Sequence, residues 1–341
     1  MFDSRAPDTL SITSRLLYYA AIKRGISVTT FDDPHLLRME YAGHSWYTRG
    51  SRSSFQSSVG FTIAGDKYLS KQVLARAGMP VPTARQIERR DKEQRAEVLS
   101  DLPLPVVVKP ARDTSSGEDV FVNITERSEL HALTDTLLSR HEALLVETQL
   151  VGADHRVLVI GGEACAAMKR VPANVTGDGT RSIRDLIAIK NMDPLRGDGY
   201  ENILTRIEPD DEMLRFLAQS HRDLETVPAA DELVILRGVS NVGKGGDVIN
   251  VTDELSEQNK RTFETIASLV DCDPVAIDFM GTDLSTDIRT QERGGIVEIN
   301  ASPGFGYGSE FTWLAERTAE SLLAKVVASH DSPGCATMSE V

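Results

Sequence analysis

Residues 296–308, IVEINASPGFGYG, place Glu298 and Asn300 two apart in an apolar run of strand character, so both side chains leave the same face. A second apolar run, AIDFM at 276–280, is interrupted by Asp278. A carboxylate in an otherwise buried strand is costly unless something compensates its charge, and a hard divalent cation does so through oxygen ligands. Mg²⁺ takes a few carboxylate or amide oxygens and completes its shell with water and nucleotide phosphates. Asp278, Glu298 and Asn300 therefore have the chemistry of a Mg-nucleotide site. Taken alone, the same two runs fit equally well a wet sheet edge carrying three ordinary polar residues.

Two other places offer groups to a nucleotide. LPVVVKP at 104–110 is a short apolar strand with Lys109 near its end, and the loop after it carries Thr114, Ser115, Ser116 and Gly117. Hydroxyls, a glycine and exposed backbone N–H groups can cover phosphates while a lysine neutralises them. The loop is not a Walker A sequence, and a lysine flanking a strand more often just reaches solvent. VETQLVGAD at 146–154 is sharper: Glu147 ends an apolar strand and Asp154 follows seven residues later. A strand end that turns into a short linker can offer backbone groups to an adenine edge, with carboxylates for the amino group and the ribose hydroxyls.

These residues need elements to hold them. The 10–25 segment LSITSRLLYYAAIKRG has helical apolar spacing and stops at Gly25; a strand and a hairpin turning near Gly43 follow. In AGDKYLSKQVLARAGMPVP, Asp66 caps a helix on which Leu69 and Val73 share a face, and Gly78 with Pro80 ends it. SELHALTDTLLSR is expected to be a helix capped by Ser128, and residues 143–171 a strand, a short crossing and a hairpin turning at Gly161 and Gly162. Residues 172–232, rich in Pro, Gly, Asp and Arg, suggest an insertion holding two helices. Helices are expected again at 255–270 and 309–329, with a frayed tail at 331–341.

The 341 residues allow more than one domain, and 40% hydrophobic with 26% charged residues is ordinary for a soluble globular chain. A net charge of −14, from 37 basic and 51 acidic residues, argues against a general nucleic-acid binder. Cys165, Cys272 and Cys335 are scattered and lack metal-ligand spacing, which suggests a reducing compartment. No apolar run reaches the roughly 20 residues that span a bilayer. The N-terminus lacks the order of a signal peptide, so a cytoplasmic protein is expected, with no membrane partner.

The order of these motifs resembles the ATP-grasp superfamily of carboxylate–amine ligases. The likeness runs through DKYLSKQVL, VVVKP, a small-residue loop, VETQLVGADHRVLV and VEINASPG, over roughly residues 60–310. MKRVPANVTGDGTRSIRDLI, NMDPLRGDGYENILTRI and LRGVSNVGKGGDVINVTDE are especially similar to the ATP-grasp module of cyanophycin synthetases, and the module of bifunctional glutathione synthetases is similar too. The resemblance implies an α+β ATP-grasp fold: a small N-terminal α/β domain at 1–62, then the grasp at 63–330 with a lid subdomain at about 100–168 and the 172–232 insertion. It implies ATP and Mg²⁺ as cofactors, with Mn²⁺ as a substitute, and amino acids or short peptides as substrates; a homo-oligomer would be in keeping.

Position by position, the resemblance implies Lys67 and Lys109 on the ATP phosphates, with Ser115, Ser116 and Gly117 in a lid over them (residues 113–119, expected to be mobile). It puts Glu147 on the adenine amino group, the backbone of Gln149 and Leu150 at the adenine edge, and Asp154 on the ribose. Asp278, Glu298 and Asn300 would hold magnesium. Arg156, Arg170, Asn202, Arg237 and Asn241 become candidates for the substrate carboxylate and the γ-phosphate, both anions suited to arginine. The implied reaction activates a carboxylate as an acyl phosphate and passes it to an amine; a small-molecule kinase and a non-catalytic nucleotide-binding protein are the alternatives. Cyanophycin synthetases continue into a Mur-ligase-like domain, whereas this chain ends at Val341, so the second ligation by such a domain is not expected. The lid loop is less glycine-rich than the family's, and Lys244 stands where small hydroxylated residues are common.

Overall fold

The Ser11 hydroxyl accepts the Ser14 N–H at 3.4 Å and so starts helix α1 (Ile12–Lys23), which ends just before Gly25. Strands β1 (Ser27–Thr30), β2 (Leu36–Tyr41), β3 (His44–Arg49) and β4 (Arg52–Ser53) follow as an antiparallel sheet in that order. The structure is a computed structural model and describes residues 7–112, 119–198, 202, 204–306, 311 and 313–330. Helices α2 (Ser58–Gly65) and α3 (Lys67–Arg76) lead away from this unit, and Asp66 caps α3 by accepting the Tyr68 and Leu69 N–H groups at 3.0 and 2.9 Å. The face that α3 buries is Ser70, Lys71 and Leu74; Leu69 is 36% exposed, so the expected Leu69–Val73 face is not the inner one.

A second sheet comes next: β5 (Ala84–Glu88), helix α4 (Lys92–Asp101), β6 (Val106–Pro110), β7 (Phe121–Ile124), helix α5 (Arg127–Leu138) and β8 (Ala143–Thr148). The strands order β5-β8-β6-β7, and Val106, Val108, Leu144 and Val146 pack with α4 and α5 residues such as Leu99, Leu130 and Leu137. This sheet begins earlier and ends earlier than the 100–168 expected of the lid. Helix α5 begins at Arg127 after Glu126, whose side chain makes no capping bond, so Ser128 lies inside the first turn and is not the cap.

Strands β9 (Ala153–Ile160) and β10 (Glu163–Val171) form the expected hairpin through Gly161 and Gly162, whose φ values of +65° and +77° suit a two-residue primed turn. Between them and the rest of their sheet lie β11 (Asn174–Thr176), helix α6 (Ile183–Lys190), β12 (Arg196–Gly197), β13 (Leu204–Thr205), helix α7 (Asp211–Gln219) and β14 (Leu233–Ile235). This segment pairs β11 with β14 and has a core of its own, including Ile183, Ile207, Met213, Leu217 and Val234. The chain then adds β15 (Asp247–Asn250), helix α8 (Glu257–Val270), β16 (Val275–Gly281), β17 (Gly295–Asn300) and helix α9 (Trp313–His330).

The central sheet has the order β15-β10-β9-β16-β17, antiparallel throughout. Side chains alternate between its faces. Val157, Val159, Ile277, Phe279 and Ile299 point to α8 and meet Phe263 and Ile266. On the other face Leu158, Ile160, Met168 and Ala276 meet α1, α9 and the N-terminal sheet through Leu17, Leu37, Trp46 and Leu314. Farther along that face the side chains become polar, and there the sheet is left open as a cleft. Among the described residues no helix is long and apolar enough to cross a membrane.

Candidate functional site

The cleft has a volume of about 800 Å³. Its floor is the polar half of the central sheet. Asp278 on β16 lies directly opposite Glu298 on β17 and opposite Arg156 on β9, while Asp154 on β9 lies opposite Arg170 on β10. Directly opposed residues in an antiparallel pair have Cβ atoms about 4.5–5.5 Å apart, so the two carboxylates sit within reach of one ion. Both are mid-strand, and Asn300 closes β17.

Asp278 is 3% exposed and held by arginine. Arg156 grips it in a fork, Nε to Oδ1 at 2.7 Å and NH2 to Oδ2 at 2.8 Å, and Arg170 NH2 adds a bond to Oδ2 at 3.0 Å. Burial pushes the Asp278 pKa up, but the two guanidiniums override it and hold the carboxyl down at about 2. Arg170 also donates to Asp154 Oδ1 at 2.7 Å, and its Nε is buried with no acceptor. The Asn300 amide satisfies both neighbours with its nitrogen on Glu298 Oε1 at 3.0 Å and its oxygen accepting from Arg156 NH2 at 3.1 Å.

The cleft's other wall comes from the β5-β8-β6-β7 sheet. Val107 faces Glu147 and Lys109 faces Leu145 across β6 and β8, which puts Lys109 and Glu147 diagonally adjacent on one face. They form a tight ion pair through Oε1, and Lys71 Nζ stands 3.3 Å from Oε2. All three side chains are buried, each 4% exposed by residue. Burial would raise the Glu147 pKa, but Lys109 and Lys71 hold it below the ordinary value; burial lowers Lys71 to about 8 against the pull of Glu147. Two cations and one carboxylate leave this spot with surplus positive charge, which suits an anionic phosphate. Lys67, first residue of α3, lines the cleft nearby.

The strand link is well held. Gln149 N donates to Pro105 O at 3.0 Å, its Oε1 accepts from Asn123 N at 3.0 Å, and Val151 N donates to Arg293 O at 3.0 Å. Gly152, with φ +130°, crosses Gly281 so closely that a Cβ on it would stand 2.2 Å from the Gly281 oxygen.

Of the residues singled out by sequence, one cleft collects Lys67, Lys109, Glu147, Gln149, Leu150, Asp154, Arg156, Arg170, Asn202, Asn241, Asp278, Glu298 and Asn300. Arg237 is not brought there. It is 2% exposed and bound to Asp210 at 2.8 and 3.0 Å and to Glu208 O at 2.7 Å, so it anchors the start of α7. Asn241 Oδ1 accepts from Gly243 N at 2.8 Å and caps the turn that lines the cleft, while Lys244 pairs with Glu212. Ser115, Ser116 and Gly117, with most of the expected lid, lie outside the described residues, as does the 331–341 tail. Sequence reasoning missed Lys71, Gly152 and the cleft's far end, where Ser11, Thr13, His35 and Arg49 come from the N-terminal unit.

Asp154 gives a test by pH. Burial pushes its pKa up to about 6, with Arg170 acting against and Asp278 adding to the rise. A carboxyl whose pKa rises on folding stabilises the fold below its unfolded value, and that contribution is lost as pH climbs through the folded one. Asp154 therefore weakens the fold above pH 6 or so. Asp154→Asn is expected to raise stability at pH 8 by on the order of 1 kcal/mol and to change little near pH 4, measured by urea unfolding. An equal loss at both pH values would contradict the charge assignment.

Residues 64–179 match the RimK-like ATP-grasp domain. The chain carries an ATP-grasp domain. It is 36% identical over 273 residues to a cyanophycin synthetase of a Synechocystis species, covering 79% of this chain and 31% of the relative. The glutathione biosynthesis bifunctional protein of Mannheimia succiniciproducens is 30% identical over 306 residues, covering 87% of this chain and 40% of the relative. The chain thus spans 31% and 40% of the lengths of these two curated relatives. The crystal structure of a bifunctional glutathione synthetase from Pasteurella multocida superposes with a TM-score of 0.69 at 27% identity, over 93% of this chain and 44% of that one. The α+β fold expected from sequence is the fold observed.

Proposed function

We propose that this chain is an ATP- and Mg²⁺-dependent ligase that joins an amino acid or peptide carboxylate to an amine and releases ADP and phosphate. The observation that carries the reading is the single cleft in which Lys67 and Lys109 stand across from Asp278, Glu298 and Asn300. The names of the relatives, cyanophycin synthetase and glutathione biosynthesis protein, support a ligase. In this reading residues 1–62 precede a grasp module at 63–330, the protein works in the cytoplasm, and its partners are small molecules.

An amine does not displace oxide from a carboxylate at neutral pH. Transfer of the γ-phosphate to the carboxylate creates an acyl phosphate, whose phosphate leaves when the amine attacks. The hard oxygens of Asp278, Glu298 and Asn300 fit Mg²⁺, which would neutralise the outer phosphates when bound. Lys67 and Lys109 would bind those phosphates, Asp154 the ribose, and the Gln149–Leu150 backbone the adenine edge. Glu147, which lines the cleft, would accept from the adenine amino group. Arg156 and Arg170 would stabilise charge on the transferring phosphoryl group.

The test is mass spectrometry of products after incubation with ATP, Mg²⁺ and pooled amino acids, with the nucleotide product identified. Amine-dependent ADP and a new amide are expected. AMP in place of ADP would overturn the phosphoryl-transfer mechanism, and ADP formed without any amine would make the protein a kinase.

A further inference from the structure

Lys71 has no assigned task, and its surroundings define one. It projects from the buried face of α3, one turn after Lys67, into the joint between the two sheets that bound the cleft. Its Nζ donates to Val297 O on β17 at 2.6 Å, next to Glu298, and pairs with Glu147 Oε2 on β8 at 3.3 Å. Lys109 occupies the other oxygen of the same carboxylate. Lys109 lines the cleft; Lys71 sits behind it, 4% exposed.

A buried carboxylate must keep a counter-charge, because an unpaired one is heavily penalised. Were Lys109 the sole cation on Glu147, any anion in the cleft would have to strip Lys109 from a carboxylate left bare. With Lys71 in place, Glu147 stays neutralised from behind while Lys109 turns to the cleft. We propose that Lys71 is a positioning residue that supplies Glu147 with a permanent counter-charge and thereby frees Lys109 to bind the nucleotide's phosphates. This rests on the nucleotide reading given above and adds to it the division of labour between two adjacent lysines.

The experiment compares equilibrium binding of two probes, Mg²⁺ with the non-hydrolysable triphosphate AMPPNP, and adenosine, which has no phosphate. Lys71→Met is expected to weaken AMPPNP about tenfold or more while adenosine binding changes little, since the lost bond is one between charged groups. Lys71→Arg should restore AMPPNP binding. In a Glu147→Gln background Lys71→Met should have little further effect, because no carboxylate remains to claim Lys109. That double variant removes both partners of the buried pair, so it keeps the test in hand if Lys71→Met does not fold. Equal weakening of both probes, or no selective loss of AMPPNP, would overturn the role of Lys71 while leaving nucleotide binding intact. Wild-type protein that binds neither probe would instead sink the nucleotide reading, and this inference with it.

Discussion

Glu298→Ala is expected to lower turnover by at least about 10²–10³-fold while the protein remains folded. Glu298 faces the cleft from β17, opposite Asp278, and is only partly buried. Its neighbour is the neutral Asn300 amide, whose nitrogen donates to it in the orientation that satisfies both Glu298 and Arg156, so its loss leaves no buried charge without a counter-charge. Asp278 keeps its two arginines in the variant. The change therefore removes the ligand proposed for the cation and little else. ADP release under saturating Mg-ATP measures the first half of the expectation, and circular dichroism with thermal unfolding measures the second. Retention of more than about a tenth of the activity would remove Glu298 from the metal site, given the size of such electrostatic contributions.

Gly152→Ala is expected to cost about 3 kcal/mol or more in stability and to raise the KM for ATP in whatever still folds. Two effects add. The φ of +130° at Gly152 lies where side chains are rarely tolerated, and the new methyl would stand 2.2 and 2.3 Å from the oxygen and carbon of Gly281. Relief requires the strand link to move away from β16. That link holds Gln149 and Leu150 in the cleft, so the edge proposed for adenine moves with it. Unfolding in urea together with ATP kinetics checks both parts. A variant as stable as the parent would mean that the crossing opens without cost.

Local features of the fold were legible in the sequence. The strand expected after Gly25 is β1, the hairpin expected near Gly43 is β2 and β3, helical spacing marked α1, and the paired glycines marked the hairpin between β9 and β10. The acidic interruptions at Asp278 and Glu298 pointed to the cleft because buried strands rarely carry carboxylates. What depends on neighbours distant in sequence was hidden. Lys71 looks like any helical lysine until Glu147 and Val297, 76 and 226 residues away, close around it. Arg237 looked available for an anion because nothing in its own segment showed that Asp210 and Glu208 would claim it. The spacing put Leu69 and Val73 on one face of α3, yet the helix turns its polar Ser70 and Lys71 inward, since Lys71 finds partners there.

The arginines on Asp278 carry a consequence for the order in which ligands arrive. In the structure the carboxylate already accepts three hydrogen bonds from Arg156 and Arg170. An ionised carboxylate offers about four acceptor positions, so most of them are already taken. A free cation entering alone would have to compete with resident positive charges at close range. A cation that arrives already bound to polyphosphate brings the arginines new anions to hold, and they can exchange one partner for another with no net loss of pairing. In the proposed reading the protein's own guanidiniums thus act as place-keepers, making the site selective for the metal–nucleotide complex over the bare ion.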